Sequence, residues 1–166
     1  MENCGSPSFR FGRGVMIVKF TDRVWFGDKP SIAEGRNEIK SVINVAHNLK
    51  QPYWNNIGKL PWDVWYFRLA SPDQAELPYN YITALAGVVN GIAAGAKFPL
   101  LCHCRMGGHR GPTAALFASW VLDSSRSVEH WIEKMQKYEP GFLEKPERRV
   151  YRSQILKYCR DIERNG

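Results

Sequence analysis

Residues 98–113 read FPLLCHCRMGGHRGPT, and this stretch decides the fold. Phe98–Cys102 is a short apolar run of the length of a buried strand. His103 and Cys104 follow, then a tight loop with Gly107 and Gly108, and then Arg110. Gly111-Pro112-Thr113 opens an apolar segment, Ala114–Leu122, that suits a central helix covered on most faces. A buried strand, a glycine-bearing loop and a helix N-terminus in succession make an anion site. Loop N–H groups can turn inward, and the helix dipole favours negative charge. Here the site has a thiol at its base, and Cys104 and Arg110 stand in Cys-x5-Arg spacing.

The rest of the chain alternates strand and helix patterns around that centre. Residues 1–14 are polar and carry Gly and Ser, which predicts a flexible leader before a domain spanning 15–163. Val15–Phe20 and Val24–Phe26 are β-branched and apolar, and Thr21-Asp22-Arg23 between them predicts a hairpin. Ser31 and Glu34 have capping-box spacing, so a short helix is expected there. Ile39–Ala46 reads as a buried strand, and Gln51–Trp62, with Pro52, Gly58 and Pro61, as a surface loop. Trp54, Trp62 and Trp65 are expected to pack beneath that loop. Val64–Leu69 is the next strand, followed by a polar loop over Ala70–Leu77.

Downstream, Pro78 suits the first turn of a helix whose apolar positions Tyr81, Ile82, Leu85, Val88, Val89 and Ile92 keep a 3.6 period. Gly95 suits its end. Val128, Trp131, Ile132, Met135 and Tyr138 mark an amphipathic helix that Pro140-Gly141 ends. Pro146 is expected to open a last helix, with Tyr151, Ile155, Tyr158 and Ile162 on one stripe. Alternation of this kind predicts a single α/β domain with a mainly parallel central sheet flanked by helices. Ligands bind beyond the carboxyl ends of the strands in such sheets, which is where Cys104 falls.

Composition narrows the function classes. The chain has 166 residues, 44% of them apolar, enough for one real core. No apolar run approaches a membrane span, and the N-terminus lacks the apolar centre of a signal peptide. Four cysteines (Cys4, Cys102, Cys104, Cys159) form no disulfide framework, which fits a reducing, cytoplasmic setting. A net charge of +7 suits an anionic substrate.

The site chemistry follows from residue types. A cysteine attacks as the thiolate, and a helix N-terminus, inward N–H groups and a neighbouring guanidinium all favour that anion. Arg110 offers a planar fork that binds two phosphoryl oxygens at once, a geometry Lys cannot reproduce. Gly107 and Gly108 let the loop Arg105-Met106-Gly107-Gly108-His109 bring successive N–H groups toward a phosphate. His103 falls on the opposite face of the strand from Cys104 and is expected to orient the loop by hydrogen bonding. The leaving oxygen needs a proton. The candidate donor is Asp73, in the loop after the Val64–Leu69 strand, with Glu76 and Asp63 as rivals.

The Cys-x5-Arg loop, the acid-bearing LASPDQAEL, the early VINVA strand and the final RVYRSQILKY occur in an order that resembles the dual-specificity branch of the cysteine-dependent protein tyrosine phosphatases. The resemblance implies the fold of that superfamily and no metal or other cofactor. It implies that Cys104 forms a cysteinyl-phosphate, that Asp73 protonates the leaving group and later activates water, and that Arg110 binds the phosphoryl oxygens. One departure stands out. The family carries Ser or Thr directly after the arginine, where its hydroxyl helps the phosphoenzyme break down, and this chain has Gly111. The departure bears on turnover more than on phosphate binding.

Three other readings compete. A metal site from Cys102, His103, Cys104 and His109 is disfavoured because adjacent residues do not converge on a tetrahedral ion. A Cys102–Cys104 disulfide would be strained by its single intervening residue, and Cys102 reads better as a small buried apolar side chain. A catalytically weak phosphate-binding module follows if Gly111 stalls turnover. Phosphoprotein monoesters are the favoured substrates, and RNA 5′ ends and phosphoinositides are the alternatives.

Overall fold

Leu100–His103 forms the strand at the centre of the sheet, two residues later at its start and one at its end than the apolar run Phe98–Cys102 predicts. The computed structural model describes residues 9–11, 15–28, 38–46, 63–71, 74–104 and 110–166. Six described strands make one sheet: β1 (Phe9–Phe11), β2 (Val15–Lys19), β3 (Val24–Gly27), β4 (Ser41–Ala46), β5 (Trp65–Ser71) and β6 (Leu100–His103). Their order is β1-β2-β3-β6-β4-β5. β3, β6, β4 and β5 run parallel, and β2 turns back on β3 through Thr21–Arg23 as the hairpin reading requires. Thr21 stiffens that turn, its Oγ1 accepting the N–H groups of Arg23 (3.1 Å) and Val24 (2.9 Å). Phe9–Phe11, assigned from composition to the leader, pairs antiparallel with β2.

Register sets what lies at each end of the sheet. Leu100 is level with Val24 and Ser41, and His103 with Gly27 and Asn44. Cys104 therefore follows the carboxyl end of a strand flanked on both sides. The pleat divides the core, since alternate residues face opposite ways. Leu100, Cys102 and Cys104 join Val24, Phe26, Ile43 and Val45 in the large cluster under the helices. Leu101 joins Trp25, Ile39 and Val42 in a smaller cluster on the other face.

Helix α1 (Tyr81–Ala94) buries Tyr81, Leu85, Val89 and Ile92, the spacing expected of it. Gly95 caps its end, as expected. Gly95 keeps right-handed angles, and the left-handed residue is Ala96 at φ 51°. Gly95 is small because Trp65 lies against it: an added Cβ would come within 2.7 Å of Trp65 Cζ3. Trp65 also touches Phe67 edge-on and carries Lys97 over its ring, 5.4 Å from the centroid.

Helix α2 (Arg110–Leu122) starts four residues before the apolar segment, because Pro112 needs no N–H partner in a first turn. Gly111 to Ser119 are all buried, and the helix packs on β3, β6 and β4 and on every other described helix. Each fully buried Leu or Phe here contributes roughly 1.5–3 kcal/mol. Helix α3 (Val128–Gln136) starts at Ser127, whose Oγ accepts the N–H of His130 (3.4 Å). Pro146 opens a short 3-10 turn (Pro146–Arg148), and α4 (Val150–Asn165) begins only after it. The buried face of α4 is Tyr151, Arg152, Ile155, Leu156 and Cys159, rotated from the expected stripe, and Ile162 is 47% exposed. The expected helix near Ser31, the loop 51–62 with Trp54 and Trp62, and residues 72–73 and 105–109 lie outside the described residues. Among the described residues no helix is long and apolar enough to cross a membrane.

Candidate active site

Three chain segments meet at the carboxyl end of β6. β6 delivers Cys104, which is 2% exposed. α2 begins with Arg110, which is partly exposed. β5 ends at Ser71, and the Arg110 Nη1 donates to the Ser71 carbonyl oxygen at 2.6 Å. A guanidinium carries five N–H donors, so this bond leaves the fork able to take two anionic oxygens. The residues that follow Ser71 in sequence are Pro72 and Asp73. Asp73, like Arg105, Met106, Gly107, Gly108 and His109, lies outside the described residues.

Gly111 explains how the helix comes so close. An added Cβ would meet Gly27 O at 3.3 Å, Cys104 N at 3.4 Å and Cys102 O at 3.5 Å. The first turn of α2 thus seats against the backbone ends of β3 and β6. Thr113, the next hydroxyl along, is fully buried and accepts a hydrogen bond from Arg152 Nε at 2.8 Å. Its hydroxyl is engaged with α4.

Burial sets the protonation of the surrounding groups. Cys102 is fully buried, and desolvation pushes its thiol far above the ordinary value, so it stays a neutral core side chain. His103 is also fully buried, on the opposite face from Cys104, and desolvation lowers it to about 4 despite its contact with the Cys104 carbonyl (Nδ1···O 3.2 Å). It is a neutral ring at physiological pH. Cys102 and His103 point to opposite faces, and among the described residues no three His, Cys, Asp or Glu side chains gather around one metal position.

The rivals for the acid separate by position. Trp65, through Ser41, is level with Leu100 at the amino end of β6, so Asp63 stands at the wrong end of the sheet. Glu76 is exposed and adjoins Leu77, whose N–H is held by Gln154 Oε1. Asp28, absent from the sequence reading, is 7% exposed directly after β3 and so level with Cys104. Its only sequence signal is a carboxylate following a buried strand.

A buried tyrosine pair completes the surroundings. Tyr81 O–H donates to Leu69 O at 2.7 Å, which commits its only proton. Tyr151, 3.0 Å away, therefore donates to Tyr81. Burial raises both phenols well above their ordinary range, so the chain of protons persists.

No protein-family profile matches the chain, and no curated protein matches it in sequence. Solved structures do match in fold. A mutant form of Tk-PTP is 16% identical, over 90% of this chain and 97% of that one, with a TM-score of 0.67. Human DUSP28 is 17% identical over 89% and 95%, with a TM-score of 0.65. The Orf virus tyrosine phosphatase OH1 is 18% identical over 94% and 91%, with a TM-score of 0.59. The likeness is one of fold: this chain adopts the α/β architecture of tyrosine and dual-specificity phosphatases.

Proposed function

We propose that the protein is a cysteine-dependent phosphatase that hydrolyses phosphate monoesters through a cysteinyl-phosphate. The observation that carries this reading is the junction of β6 and α2. Cys104 sits at the carboxyl end of the central strand, and Arg110 heads the buried helix with its fork tethered by Ser71 O. In the first step the Cys104 thiolate forms a bond to phosphorus, and the ester oxygen departs with a proton from Asp73. In the second, water attacks the phosphocysteine, gives its proton to Asp73 and releases the thiolate. Arg110 and the N–H groups of 105–109 hold the phosphoryl oxygens in both steps. No metal takes part.

The basic charge supports an anionic macromolecular substrate, and phosphoprotein monoesters are the class we favour. Hydrolysis of an aryl phosphate tests the reaction. It should survive a chelator and vanish in Cys104→Ser; loss with chelator, or substantial turnover in the Ser variant, rejects the mechanism. A panel of phosphopeptides, 5′-phosphorylated RNA and phosphoinositides then identifies the substrate.

One observation favours a second reading, a phosphate-binding module with slow turnover. Gly111 brings no hydroxyl to Cys104, and the Thr113 hydroxyl is held by Arg152. A burst of leaving group followed by a slow steady state would mark it.

A further inference from the structure

The first turn of α4 reaches three segments that border the site. Arg152, 3% exposed, donates Nε to Thr113 Oγ1, in the same opening turn of α2 as Arg110. Tyr151 donates to Tyr81, which holds Leu69 O, two residues before the carbonyl that tethers Arg110. Gln154 Oε1 accepts the N–H of Leu77 at 2.7 Å, on the other side of Asp73 in sequence. Leu69 and Leu77 bracket the segment that carries the candidate acid. Arg152 is itself clamped: Nη1 donates to Phe142 O at 2.7 Å, Nη2 meets Glu139 Oε2 at 3.3 Å, and the guanidinium lies 3.8 Å from the Phe142 ring centroid.

We infer that Tyr151, Arg152 and Gln154 form a positioning strut that fixes Leu69 and Leu77, the described residues flanking Asp73 in sequence, relative to the helix carrying Arg110. The inference rests on the phosphatase reading. Two catalytic groups delivered by different segments must meet one phosphoryl group at the same time, and a misplacement of about 1 Å costs roughly 10²-fold. The arginine tether and the α4 turn are two polar links between β5 and α2.

Gln154→Met removes the acceptor for Leu77 N–H while keeping side-chain length, and it touches neither Cys104 nor Arg110. Its position is part-buried, so the variant should fold, and a melting curve checks this. Turnover of a phosphate ester with a poor leaving group should fall roughly tenfold. An ester whose leaving group needs no proton should lose little, and vanadate affinity should match the wild type. Thr113→Val, which takes the acceptor from Arg152, should instead weaken vanadate binding and slow both esters alike. A folded Gln154→Met that slows both esters equally, or neither, while the wild type is active overturns the strut and leaves the phosphatase standing. A wild type without Cys104-dependent turnover overturns both.

Discussion

Cys102 and Cys104 are two residues apart on one chain, face the same side of the sheet in one buried cluster, and differ in their place along the strand. Cys102 is inside β6, with apolar side chains and backbone around it and a thiol that burial keeps protonated. Cys104 is one step beyond the strand, beside the first turn of α2 and on the side where Arg110 is tethered. One is a small apolar filler, and the other is the nucleophile of the proposed reaction. The lesson is that the end of a parallel strand, where backbone N–H groups and a helix dipole converge, gives a residue a role its neighbour in the strand body lacks.

The largest effect should come from exchanging those roles. Cys104→Ser should lower turnover on the order of 10⁴-fold or more while the protein still binds vanadate. Cys102→Ala should leave turnover within a few-fold and cost roughly 1 kcal/mol of stability in urea titrations, the value of a small buried side chain. Equal losses of activity in both variants would erase the distinction.

Asp73→Asn comes next. Loss of a general acid should slow poor leaving groups by ~10²–10⁴-fold and good ones far less. Leaving-group-independent losses would remove Asp73 from the role, and Glu76→Gln would then be the variant that carries the contrast, since Asp63 lies at the other end of the sheet.

His103 extends the comparison to the opposite face of the same strand end. It stays neutral in the folded protein down to about pH 4, against an ordinary value of 6.5. Between these values the unfolded chain binds the extra proton, so this contribution to stability is complete above pH 6.5 and is lost as pH falls toward 4. Urea titrations across this interval should show His103→Gln losing roughly 3 kcal/mol less than the wild type. Parallel profiles would show that the ring is not held neutral.

The smallest effect is at Gly111. Ser there would bring a hydroxyl beside Cys104 N, and its Cβ would press on Gly27 O at 3.3 Å. Steady-state turnover should rise about tenfold as a hydrogen bond to the departing thiolate is gained. Stability should fall by roughly 1 kcal/mol from crowding. Unchanged turnover with normal phosphate affinity would show that Gly111 limits nothing.

Local pattern revealed much of this. The apolar run 98–102, the hairpin at Thr21–Arg23 and the stripe of α1 are short-range signals, and each element appears within two residues of where its pattern places it. The failures are long-range. Gly95 is legible as the end of α1, but not the reason it is small there, which is Trp65, distant in sequence, lying on it. Arg152 stands outside the apolar stripe read from the sequence, yet it is buried, and Thr113 and Phe142 O satisfy it in the interior. Cys-x5-Arg is legible because one loop carries both ends. The Ser71 carbonyl that tethers Arg110 is not, since a backbone oxygen leaves no mark on the sequence.

The central claim is that phosphate passes through Cys104. Acid quenching of an aryl phosphate reaction in its first turnovers, followed by fragmentation of the peptide that holds both cysteines, tests it directly. The account predicts one phosphoryl group on Cys104, none on Cys102, formed in step with the burst of leaving group and absent from Cys104→Ser. Turnover without phosphorylated protein, or phosphate on any other residue, would contradict it.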